Sequence, residues 1–120
     1  LAGKVNLQEQ FARLDDYWSP KIVASVNDYD VKLVKVQGEF VWHQHDATDE
    51  VFLVMAGQLR IQLQDRDDVV LSLGEMFVVP RGVRHRPVAD AETHLVLLEP
   101  HETLNTGDAQ RACTVGERLE

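Results

Sequence analysis

The stretch Gly38-EFVW-His43-Gln44-His45-DATD-Glu50-VFLVMA-Gly57, followed by Gly74-EMFVV-Pro80-Arg81-Gly82-Val83-Arg84-His85, decides how this chain folds. In an extended strand, residues two apart face the same side, so His43 and His45 are expected to aim at one point. The turn-forming run Asp46-Ala47-Thr48-Asp49 lets the chain reverse before the apolar run Val51 to Met55, which brings Glu50 opposite the histidines. His85 arrives from far along the chain, just after Pro80-Arg81-Gly82, where proline presets φ and glycine supplies angles closed to other residues. Three imidazoles and one carboxylate are then placed to hold a divalent metal inside a β-barrel.

A single histidine on an apolar strand is more often a packed or solvated residue than a ligand. The constellation changes the balance. Eight fixed positions (the four ligands, Gly57, Gly74, Pro80 and Gly82) at ~5% each make coincidence a roughly 10⁻¹⁰ event before spacing freedom is allowed for.

On these residues the chain resembles the cupin superfamily, whose first motif runs G, five residues, HxH, three or four residues, E, six residues, G. The second runs G, five residues, PxG, two residues, H, three residues, N. The spacing from His43 to Gly57 and from Gly74 through His85 matches. Two departures stand out: four residues separate Gly38 from His43, and Ala89 occupies the place of the asparagine. Neither removes a ligand. The resemblance implies an all-β, double-stranded β-helix (jelly-roll) barrel, to which the residue pattern adds a short N-terminal helix, and one divalent transition metal ion on His43, His45, Glu50 and His85.

At 120 residues the chain has room for one core and not for two. Twelve basic against twenty acidic residues, a net of −8, argue against a nucleic-acid surface and against an anionic membrane. No apolar run approaches the ~18 residues of a membrane span, and the polar start Leu1 to Gln10 lacks the apolar region of a signal peptide. A cytoplasmic protein is expected, although a chain beginning with Leu rather than Met leaves its natural start open. Cys113 is alone, which rules out an internal disulfide and fits a reducing compartment.

Asn6 followed by Glu9 reads as a helix cap, and Leu7, Phe11 and Leu14 recur at helical spacing, so a helix is expected over about 7–16. Strands are expected at 21–26, 30–36, 38–45, 50–56, 58–64, 69–73, 76–79, 84–89 and 93–99. Asn27-Asp28 marks a turn, and Asp65-Arg66-Asp67-Asp68 a hairpin tip. Leu59, Ile61 and Leu63 alternate with polar residues, which leaves one wet face and a solvated Arg60. The expected divisions are an N-terminal helix and lead-in (1–17), the barrel (18–103) and a polar tail (104–120).

Strand parity that turns His43, His45 and Glu50 inward also turns Val41, Phe52 and Val54 inward, as a small apolar pocket wall. Phe40 and Trp42 then face outward, where a second subunit is expected to cover them, giving a homodimer. Arg84 and Arg86 point away from the metal, and Arg81 is a solvated turn residue. Nitrogen and oxygen donors suit Fe, Mn, Ni, Co, Cu or Zn alike. Four ligands on a six-coordinate ion leave two positions open, whereas a tetrahedral zinc site would be closed and structural. The leading expectation is a metal-dependent enzyme of the non-haem oxygenase type acting on a small oxygen-rich molecule, with Glu50 also the catalytic candidate because its charge tunes the ion. The alternatives are a sugar or keto-acid isomerase, for which parity offers only Glu39 as acid or base, and a non-catalytic ligand-binding module with a structural metal. The absence of a DNA-binding segment counts against a regulator.

Overall fold

The computed structural model describes residues 3–101, 103 and 107, with the backbone of 117–118. Helix α1 (Leu7–Ala12) precedes strands β1 (Lys21–Val26), β2 (Tyr29–Glu39), β3 (Glu50–Ala56), β4 (Leu59–Leu63), β5 (Arg66–Leu71), β6 (Met76–Val79), β7 (His85–Pro100) and β8 (Glu117–Arg118). The result is the expected all-β jelly-roll with a short N-terminal helix. No helix of the described residues is long and apolar enough to cross a membrane.

Strand β7 is the hub. One edge runs antiparallel to β2, from Tyr29↔Pro100 to Glu39↔Val88. Its other edge takes β4 near its start (Leu63↔His85) and β3 nearer its end (Val51↔Leu98). The two strands expected at 84–89 and 93–99 are therefore one. The β2–β7 register slips between Val36 and Gly38, opposite Asp90-Ala91-Glu92. Unequal residue numbers across a ladder bend and twist it, so the sheet curls around a single core. Gly57, between β3 and β4, sits hard against this bend: at φ 81° it is left-handed, and a Cβ there would lie 2.6 Å from Thr93 Oγ1. Only glycine fits.

The barrel core takes Val34, Val36, Phe52, Val54, Ile61, Leu95 and Leu97 with their neighbours. Leu33, on the opposite face of β2, packs instead with Val23, Phe11 and Leu14, so the helical segment roofs the outside of the sheet. Asn6 caps α1 through its side chain to Glu9 N, as expected. The helix ends at Ala12 rather than near 16. Arg13 and Leu14 donate to Gln10 and Phe11 in tight i→i+3 bonds, and Asp15-Asp16 would put negative charge at the negative end of the dipole.

Elsewhere β2 reaches only Glu39, and residues 40–49 form no strand beyond one bridge, His43↔His85. The β4–β5 hairpin turns at Gln64-Asp65, with Asp65 at φ 63°, so Arg66 to Asp68 belong to β5 rather than to the tip. Arg60 is only loosely paired, 3.7 Å from Asp68 on the wet face. In the polar tail, where no strand is expected, Glu117–Arg118 pair in parallel with Lys21–Ile22. Asn105, Thr106, Asp108 and Cys113 lie outside the described residues.

Candidate metal centre

Four side chains expected to converge do so. The ligand atoms of His43, His45, Glu50 and His85 lie within 4.8 Å of one another, and all four residues are buried. Backbone contacts fix them. His43 and His85 exchange both main-chain hydrogen bonds, at 3.0 and 2.8 Å. Gly82 N donates to His45 O at 2.8 Å, and Arg81 N donates to Asp49 Oδ1 at 2.9 Å. The Pro80-Arg81-Gly82 turn and the 44–49 loop therefore brace each other, and Glu50 opens β3 directly beneath them.

The imidazoles are oriented as metal ligands need to be. His43 Nδ1 donates to Val41 O and His85 Nδ1 to Val83 O, each at 2.9 Å, which leaves both Nε2 lone pairs free. His45 Nε2 and His85 Nε2 stand 3.2 and 3.4 Å from Glu50 Oε1. Those separations match the edges of a coordination shell with bonds of ~2.1 Å. None of these three buried atoms has a well-formed hydrogen bond. Buried polar atoms are rarely left orphaned, and three aimed at one spot fit a cation.

Charge agrees. Burial, with His85 nearby, lowers His43 to about 4, so it is a neutral donor at neutral pH. Burial alone would push Glu50 up, but the His45 and His85 imidazoles beside it outweigh burial and hold its carboxyl far below the usual range.

A cavity of about 30 Å³ adjoins His43 and Glu50. Of its three expected wall residues only Phe52 lines it. Val54 is fully buried in the core without touching the cavity, and Val41 is half-buried away from it. Parity holds for Val54, which faces inward with Phe52 but away from the cavity, and fails for Val41 because 40–49 is not a strand. Phe40 and His43, three residues apart, both face the cavity. Phe40 is thus not an outer residue: it stacks on Trp18 at 4.8 Å and presents an edge to His43 at 5.4 Å. Trp42 lies under the Arg86 guanidinium, 5.4 Å from its ring centroid. Arg86 also binds Gln62 and Glu39, away from the metal cluster as expected. Glu39, with a side chain 64% exposed, is turned outward and is no acid or base for this site.

The sequence reading missed Lys32 and Glu99. Both are wholly buried and paired at 2.9 Å, a contact that is electrostatic rather than a well-aligned hydrogen bond. Burial and the neighbouring Glu50 charge raise Glu99 well above the usual carboxylate range, with Lys32 opposing. The surroundings thus favour the charged form of Glu50 and disfavour that of Glu99, which Lys32 opposes. The signal was present in the alternation Leu95, Leu97, Glu99, which carries an acid onto the inner face.

The model of the cupin domain matches residues 31–101. The chain belongs to the cupin family. A cupin-2 domain protein from Shewanella frigidimarina shares 48% identity and superposes with a TM-score of 0.78, over 80% of this chain and 93% of that one. A 3-hydroxyanthranilate 3,4-dioxygenase 2 from Aspergillus fumigatus is 30% identical over 75% of this cupin and 50% of its own length. The chain spans 57% and 50% of the curated relatives it matches. The fold is also that of hydroquinone 1,2-dioxygenase from Sphingomonas sp. TTNP3, solved with 4-nitrophenol: TM-score 0.75, 22% identity, covering 82% of this chain and 32% of that one.

Proposed function

We propose that this cupin is a metal-dependent enzyme of the non-haem oxygenase type, acting on a small oxygen-bearing molecule. The observation that carries it is the set of three orphaned donor atoms converging beside a small, largely apolar cavity. His43, His45, Glu50 and His85 would hold one divalent ion. When bound, such an ion polarises oxygen ligands and, with open positions, brings substrate and dioxygen together. The protein's part is to fix three neutral imidazoles and one carboxylate, keep water out with Phe52 and its neighbours, and set the ion's charge through Glu50. The dioxygenase relative supports this class.

The isomerase alternative loses its acid or base with Glu39 turned outward. A homodimer remains part of the proposal on different grounds from Phe40 and Trp42: Val70, Leu73, Met76 and Val78 leave an apolar surface around β5 and β6. The test is oxygen uptake by the Fe(II)-loaded protein with a panel of diols, hydroxy-ketones and β-diketones. Uptake with one class, abolished in Glu50→Gln, supports the proposal. No uptake and no change in the metal's spectrum with any ligand, with only thermal stability lost on metal removal, replaces it with a structural metal.

A further inference from the structure

The cavity beside the metal cluster has a wall from outside the matched domain. Trp18 precedes residue 31, where the family match begins, yet it lines the cavity together with Phe40 and Phe52. It is held firmly. Its main-chain N donates to Lys35 O and its Nε1 to Gln37 O, both at 2.9 Å. Its backbone is left-handed, φ 59°, a conformation a bulky residue adopts only where the surroundings impose it, and one that clusters at ligand clamps. Phe40, stacked on it, belongs instead to the stretch without regular strand.

Two properties of this cavity restrict what enters. First, its remaining lining is aliphatic, proline, His43 and Glu50, so no cationic side chain faces it among the described residues, and the Glu50 carboxylate already does. An anionic group placed against Trp18, out of the ion's reach, would be buried without a partner. Second, about 30 Å³ holds a water or two, against the ~150 Å³ of a cavity that takes benzene. A ring therefore enters only by displacing one wall, and Phe40 lies just past the end of β2, its main-chain N donating to Pro87 O at 3.0 Å and its side chain free to turn about that anchor.

Resting on the metal-dependent function proposed above, we propose that Trp18 is the specificity-determining residue of this site: a fixed aromatic platform against which an uncharged, hydroxyl-bearing ring stacks as Phe40 yields, while a ring that carries its charge on the Trp18 side, away from the ion, is refused. Stacking with Trp18 supplies the contact that Phe40 gives up. The hydroxyl oxygens then face the ligand atoms of His43 and Glu50.

The test uses protein loaded with Co(II), in a Trp42→Phe background so that Trp18 is the remaining tryptophan. Catechol is expected to quench Trp18 fluorescence and change the Co(II) absorption together. 3,4-Dihydroxybenzoate, the same ring with a carboxylate remote from the diol, is expected to bind at least roughly tenfold more weakly. Read by Co(II) absorption, Trp18→Ala should keep about one ion per chain yet shift preference from catechol toward the bulkier 2,3-dihydroxynaphthalene by roughly tenfold. Trp18→Phe should retain the original order. With the ion bound, equal or tighter binding of the carboxylate, or an unchanged order in Trp18→Ala, overturns this inference alone. Failure of the parent protein to take up metal overturns the proposed function and this inference with it.

Discussion

At the scale of single residues, the three ligand histidines differ from the other two in what they touch. His94 stacks on Phe11 outside the barrel, and His101 pairs with Asp30 at 2.7 Å. His85→Ala should therefore cut metal affinity by 10-fold to 100-fold or more, judging from what loss of even an outer partner costs, while His94→Ala and His101→Ala leave it near the parent value in a competition titration with a chelator. Protonation gives a second expectation. His43 titrates near 4 when folded and near 6.5 otherwise, so the unfolded chain binds the extra proton between those values. Its contribution is present above 6.5 and lost as pH falls toward 4. In metal-free protein the urea midpoint should drop between pH 7 and 4.5, and His43→Gln should shrink that drop; a slope unchanged by the variant contradicts it. His43, His45, Glu50 and His85 were legible because their spacing is fixed by a turn and a hairpin. Val41 and Phe40 were not, since a period of two has no meaning where the backbone leaves the strand. Glu99 was legible but passed over: alternation showed its face, and nothing local showed that Lys32 waited opposite.

At the scale of elements, most strands could be placed from alternation and from their bounding Gly, Pro and Asp. The errors fall where tertiary contacts overrule local signals. β7 runs unbroken through Asp90-Ala91-Glu92, a polar stretch that reads as a loop, because β2 and the β3–β4 turn pack against it. Gly57 marks that contact and allows a controlled comparison with Gly74. Both have positive φ, 81° and 79°, but a Cβ at Gly57 meets Thr93 Oγ1 and Glu92 O, whereas nothing lies within 4 Å at Gly74. Gly74→Ala should cost only the left-handed penalty, about 1–2 kcal/mol. Gly57→Ala should cost a further 1–3 kcal/mol, roughly the price of overpacking. Chemical denaturation of the pair measures the difference, and equal losses would mean that the turn does not press on β7.

At the scale of the whole molecule, one barrel carries the metal cluster at one end of its core and leaves apolar side chains on β6 and its approach, with Leu73 69% and Met76 56% exposed. A homodimer through this surface should dissociate in Leu73→Asp/Met76→Lys, read as a halved mass in sedimentation, while metal content stays constant. A parent chain already monomeric at micromolar concentration would dismiss it. The barrel itself was legible in the sequence because its two motifs lie far apart in the chain and only a closed sheet brings them together; its oligomeric surface was not, since exposed Val, Leu and Met look the same whether or not something covers them. The metal centre is tested most directly by native mass spectrometry of protein supplied with Fe(II), Mn(II) or Co(II) under mild conditions. The mass should rise by one ion per chain, and His85→Ala should lose that increment while keeping its fold by circular dichroism. A parent chain that retains no ion under these conditions, or a His85→Ala variant that retains it equally well, would contradict the assignment of His43, His45, Glu50 and His85 as a metal site.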